Sequence, residues 1–116
     1  ARDPTRGQHP VLIGGEGWAF ELTEDEWAAL ADLVLTLERQ HRALVDQLMA
    51  EEAIELELDR GLWWGCLQGD RARWSVSVVL TPAAGRGVEG HWPFPASAAM
   101  VAAMRTLWDN RNDQCN

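Results

Sequence analysis

The stretch Glu51-Glu52-Ala53-Ile54-Glu55-Leu56-Glu57-Leu58-Asp59 decides the fold, because here the spacing of apolar residues changes from three and four to two. Upstream, Trp27, Leu30, Val34, Leu37, His41, Leu44 and Leu48 make one stripe of a helix, interrupted only by His41. Thr23 and Glu26 have the spacing of a capping box, with Leu22 and Trp27 as the flanking hydrophobic pair. Acids crowd the first turn, as the helix dipole prefers, whereas Glu51 and Glu52 sit at the wrong end. A helix from about Glu24 to Glu51 follows, about 40 Å long at 1.5 Å per residue. Downstream, Ile54, Leu56 and Leu58 alternate with Glu55, Glu57 and Asp59, which is a strand with one dry face and one acidic face.

The period of two continues. Leu62 to Leu67 reads as a second strand, in which the adjacent Trp63 and Trp64 must point to opposite faces. After a turn at Gln68 to Arg71, a third strand from Arg73 to Leu80 places Trp74, Val76, Val78 and Leu80 on one face and Arg73, Ser75 and Ser77 on the other. Pro82 to Gly87 is a loop and Val88 to Trp92 a fourth strand, stopped by Pro93 and Pro95. Val101, Met104 and Trp108 then predict a shorter helix from about Ala96 to Trp108, followed by a polar tail over 109–116. Before the long helix, Val11 to Ile13 and Trp18 to Glu21 look like two short strands around Gly14-Gly15. The order is β-β-α-β-β-β-β-α, an α+β fold whose antiparallel sheet of four or more strands packs against one long and one shorter helix. At 116 residues the chain is one domain, with a β4-α unit over 53–108.

Composition removes several functions. All ten basic residues are arginines, so Schiff-base catalysis, pyridoxal-phosphate attachment and a lysine-dependent phosphate loop are excluded. No apolar run approaches the roughly 18 residues that span a bilayer, and residues 1–10 are polar, so a cytoplasmic protein with no membrane contact is expected. The chain opens at Ala1 with no methionine, and a missing beginning is expected. The net charge of −8 is uneven: residues 24–52 carry eight acids against Arg39 and Arg42, whereas residues 53–92 carry five acids against four arginines. Acidity therefore belongs mainly to the long helix.

No motif supports catalysis, a cofactor or a metal. Gly85 to Gly90 spells GxGxxG, but His91-Trp92-Pro93 follows in place of a helix, so it reads as a hairpin turn. Glu55, Glu57 and Asp59 share a solvated strand face, and His41 reads as a histidine at the core edge with one nitrogen satisfied. Ser75, Ser77 and Ser97 lie in no nucleophile elbow, and Cys66 has no recognisable base in His91. Cys66 and Cys115 are expected as thiols in a reducing compartment, and three scattered histidines give no metal-ligand spacing.

One constellation stands apart. Trp63, Trp64, Trp74 and Trp92 are interleaved with Arg60, Arg71, Arg73 and Arg86 on the same small sheet. Trp74 and one of Trp63 and Trp64 belong to the dry face. The other, pointing outward among arginines, suits either a protein interface anchor or a base-stacking platform.

The pattern Gly14-Gly15-x-x-Trp18-x-x-Glu21-Leu22-Thr23, the helix ending Met49-Ala50-Glu51-Glu52, the Leu62-Trp63-x-x-x-Leu67 strand and Glu89-Gly90-x-Trp92 resemble a small cyanobacterial family, domain of unknown function 1818. The resemblance covers Gly14 to Trp108. It implies a cyanobacterial origin and a fold similar to the Whirly and positive-cofactor-four group of single-stranded-DNA-binding regulators, in which two β4-α units form a dimer. Whirly proteins carry a lysine-containing strand motif that this chain lacks, and the resemblance brings no catalytic or binding residue. The expectation is a non-catalytic, homodimeric adaptor or assembly factor that binds a protein through exposed tryptophan and arginine. The alternative is single-stranded nucleic-acid binding, with Arg60, Arg71, Arg73 and Arg86 on phosphates and Trp63 or Trp64 stacking on bases.

Overall fold

The structure, a computed structural model, describes residues 11–15, 18–81 and 87–114. Its elements follow the expected order: β1 (Val11–Gly15), β2 (Trp18–Leu22), α1 (Glu24–Leu44), β3 (Ile54–Arg60), β4 (Trp63–Gly69), β5 (Trp74–Leu80), β6 (Val88–Trp92) and α2 (Ala96–Gln114). β1 and β2 form a separate antiparallel hairpin, and β3 to β6 form a four-stranded antiparallel sheet in chain order. Gly90, the third glycine of the GxGxxG spelling, lies inside β6, so no helix opens there.

The start of α1 is fixed by local chemistry. Glu26 N donates to Thr23 Oγ1 at 3.1 Å and Thr23 N donates to Glu26 Oε1 at 2.9 Å, a closed capping box. Its end differs from the expectation. α1 stops at Leu44, Val45–Gln47 form one 3-10 turn, and Leu48 is already extended. A helix is stabilised mostly by burying its apolar face, and burial here ends with His41. Stopping at Leu44 also leaves His41 and Arg42 in the last turn, where the dipole favours a positive charge, and keeps Glu51 and Glu52 out of it. α2 instead runs past Trp108 to Gln114, since no glycine or proline interrupts residues 109–114 and propagation of a formed helix is cheap.

Register divides the sheet cleanly. On the inner face, Leu56, Leu67, Val76 and Trp92 form one cross-strand row, and Arg60, Trp63, Leu80 and Val88 another. Between them lies the row Leu58, Gly65, Val78, Gly90. Its two glycines are where neighbours press in: a Cβ on Gly65 would collide with the Leu33 side chain of α1, and one on Gly90 would lie 2.6 Å from the Trp18 ring. α1 covers β3 and β4, α2 lies against β5 and β6, and the β1–β2 hairpin meets β6 and α1. Leu22, Trp27, Leu30, Leu33, Val34 and Leu37 complete the core from the helix side. α1 and α2 are joined by the Trp27–Trp108 ring contact, centroids 5.8 Å apart, and by Arg105 Nη2 to Glu38 Oε2 at 2.7 Å.

Candidate functional site

The opposite face of the sheet carries no helix or strand among the described residues. Three rows cross it: Glu55, Gln68, Ser75; Glu57, Cys66, Ser77, His91; and Asp59, Trp64, Val79, Glu89. Its middle is partly apolar, through Trp64, Cys66 and Val79. Its β3 border is a line of exposed carboxylates, and exposed Glu89 ends the third row on β6.

Trp63 and Trp64 take opposite fates. Trp63 is 1% exposed and its Nε1–H donates to the Glu26 carbonyl at 2.9 Å. Trp64 is half-buried on the open face. Trp18 packs on Phe20 and Trp92, Trp27 on Trp108, and Trp74 on His41, while the Trp92 indole donates to the Gly14 carbonyl at 3.2 Å. Trp64 alone among the seven tryptophans has neither a ring partner nor an indole hydrogen bond among the described residues.

The arginines do not surround it. Arg60 belongs to the inner face, where its Nε is 2.9 Å from Asp32 Oδ2 of α1 and its Nη1 donates to the Asp59 carbonyl at 2.9 Å. Arg71 and Arg73 are exposed in the β4–β5 turn and make no ion pair among the described residues. That turn lies beyond Gly69, five residues along β4 from Trp64, or about 17 Å in an extended strand. Arg86 lies outside the described residues. Among the described residues the interleaving in sequence does not become a patch in space: strand alternation sends Arg60 away from Trp64, and strand length separates Trp64 from Arg71 and Arg73.

The β4–β5 turn is held by Asp70, whose Oδ1 accepts from the backbone N–H groups of Ala72 and Arg73 at 2.8 Å each. These bonds hold its carboxyl below the usual carboxylate range. The Asp70 carbonyl accepts from His41 Nε2 at 2.9 Å, so His41 carries a proton on that nitrogen and is the satisfied core-edge histidine expected.

Register also makes neighbours that sequence spacing hides. Cys66, 3% exposed and free, lies between Glu57 and Ser77, with its thiol 3.8 Å from Glu55 Oε1. Burial, then the charges of Glu55 and Glu57, push this thiol up to about 11. The Glu55, Glu57 and Cys66 ligand atoms lie within 4.8 Å of one another, but Gln68 Nε2 already donates to Glu55 at 3.0 Å and both carboxylates are exposed. Ser77 Oγ lies 2.8 Å from His91 Nδ1, a hydroxyl and imidazole pair found only once the β5–β6 register is known.

A second feature has no signature in the sequence. Leu12, Ile13, Trp27, Trp92, Met100 and Met104 line a cleft of about 200 Å³ between the first hairpin and α2. The described residues that line it include no titratable side chain. Leu12 and Leu107, both 38% exposed, stand at this cleft. No helix among the described residues is long and apolar enough to cross a membrane.

A crystal structure of a protein of unknown function from the DUF155 family of Prochlorococcus sp. NATL2A has the same fold, with a TM-score of 0.87. The two share 38% sequence identity, and the match covers 92% of this chain and 89% of that one. No curated protein matches. The sequence matches the description Domain of unknown function (DUF1818) over residues 1–107, and the chain belongs to that family.

Proposed function

We propose that this protein is a non-catalytic adaptor that holds another protein on the open face of its sheet, with Trp64 as the anchor. The isolation of Trp64 carries this reading. A tryptophan normally satisfies its ring and its N–H within the fold, and one that does neither on an uncovered face has the character of an interface hot spot. Half-buried Val79, the partner of Trp64 across the β4–β5 ladder, with carboxylates at the border, gives the apolar centre and polar rim of a protein interface.

Catalysis fits this face poorly. The Ser77–His91 pair projects from the face of β5 and β6, whereas the backbone N–H groups of a sheet lie in its plane and do not point at a group held above that face as an oxyanion hole would. The Cys66 thiol stays protonated at neutral pH.

Single-stranded nucleic acid, the Whirly-like alternative, ranks second and rests on Arg71 and Arg73. A strand with a base stacked on Trp64 would carry its phosphates past Asp59 and Glu89, which share the cross-strand row of that tryptophan.

A photo-crosslinking amino acid in place of Trp64 tests the adaptor reading in the native host. Exposed Met49 serves as the control position. Protein adducts at position 64 and none at 49 are expected. Nucleic-acid adducts at 64, or no adduct, overturn the proposal.

A further inference from the structure

We infer that the free edge of β3 accepts an extended segment of a protein partner in which basic and apolar residues alternate. The inference rests on the adaptor reading for the existence of a protein partner, but it uses a different part of the sheet. Among the described residues β3 ends the sheet order and pairs only with β4, over the full seven residues from Ile54 to Arg60. Its outer edge is therefore a row of backbone donors and acceptors about 23 Å long, the template that strand addition uses.

Side chains on the two faces specify what the added strand must carry. On the inner face, Ile54, Leu56 and Leu58 are only half-buried although α1 packs over β3, whereas Leu67, Val76 and Val78 further into the sheet are fully buried. An added strand with apolar residues on that side would extend the core past its present margin. On the other face, Glu55, Glu57 and Asp59 are all exposed. Arg60 does not neutralise them, because it is on the inner face and bound to Asp32. Of the three, only Glu55 has a Gln68 partner. Opposite charges across neighbouring strands stabilise pairing and like charges oppose it, so basic residues belong on this side.

The same row selects against other occupants. A second copy adding its own β3 antiparallel to the first would set carboxylates against carboxylates. Nucleic acid has the wrong sign of charge and no strand to add. The acids that guard this edge against self-pairing are the groups that admit a cationic strand.

Fluorescence anisotropy of four labelled eight-residue peptides tests this directly. One alternates arginine and valine, and a second has the same composition with all arginines first. A third alternates glutamate and valine, and a fourth is the arginine–valine peptide methylated at every peptide nitrogen, which cannot donate to a strand edge. The alternating basic peptide should bind about tenfold or more tighter than each of the others, with protection of β3 amides from hydrogen exchange. The Glu55→Gln/Glu57→Gln double variant should weaken it by about tenfold and flatten its salt dependence, circular dichroism confirming the fold. Equal binding by the permuted or methylated peptide would mean charge attraction without strand addition and would overturn the inference, as would no binding by the alternating peptide. Failure here is separable from failure of the adaptor reading, because protein adducts at position 64 together with no peptide binding would remove the edge alone.

Discussion

Trp63 Nε1 donates to the Glu26 carbonyl oxygen at 2.9 Å, which fastens the start of β4 to the first turn of α1. Trp64, one residue on, faces the other way, and its indole has neither a ring partner nor a hydrogen bond among the described residues. Trp63→Ala should therefore lose about 3–5 kcal/mol of stability, from the cavity and the lost bond together. Trp64→Ala should lose about 1 kcal/mol or less. Urea unfolding of the two variants measures the difference. Equal large losses would place both rings in the core and remove the proposed anchor.

Gly65 sits beneath Leu33, and the two set how closely α1 approaches the sheet. Leu33 is fully buried with Leu37 beside it, so its side chain has no free space into which to swing. Gly65→Ala should destabilise by about 1–3 kcal/mol, an overpacking cost, even though alanine suits a strand at least as well as glycine. A Leu33→Ala substitution made together with it should recover part of the loss, as expected for residues in direct contact. Additive losses in urea unfolding would show that the two do not share the space.

What could be read from the sequence was local. The capping box, the change of period at Ala53 and the alternation of Ile54 to Asp59 each depend on residues within a turn or a strand, and each has its expected form. The end of α1 was not legible, because it depends on how far the sheet supports the helix. Nor was the choice between Trp63 and Trp64: the inner row of β4 contains Gly65, so alternation in that strand has no clear apolar phase. Ser77 beside His91, and Cys66 beside Glu57, follow from registers that join residues 14 and 9 positions apart. That Arg60, Arg71 and Arg73 do not gather at Trp64 was likewise not legible in sequence order, since strand alternation and strand length decide it.

Cys66 should be an inert thiol. Its value of about 11 lies above the ordinary 9.0, with burial as the largest cause and the Glu55 and Glu57 charges next. A group whose folded value is raised contributes stability that is fully present below the unfolded value. That contribution should be lost as pH rises from about 9 toward 11. Iodoacetamide alkylation, followed by mass spectrometry so that Cys66 is separated from Cys115, should be slow at neutral pH and rise steeply only in this alkaline range. Glu57→Gln should shift the rise to lower pH, though only in part, because burial remains. A half-maximal rate at or below pH 9 in the native protein would contradict this account of the thiol.

Single-stranded DNA should bind weakly, and not at Trp64. Among the described residues, Arg71 and Arg73 are exposed cations in no ion pair, but they lie at the end of the sheet remote from Trp64, and the third row carries Asp59 beside that ring and Glu89 beyond Val79. Anisotropy with a labelled oligonucleotide should show binding, where it occurs at all, only at low salt. The Arg71→Ala/Arg73→Ala variant should abolish it and Trp64→Ala should leave it unchanged, since two charges in a turn attract phosphate without engaging a base. Micromolar binding at physiological salt that depends on both Trp64 and the arginine pair would reverse the ranking of the two functional readings, because stacking and charge would then be acting on one strand across the face.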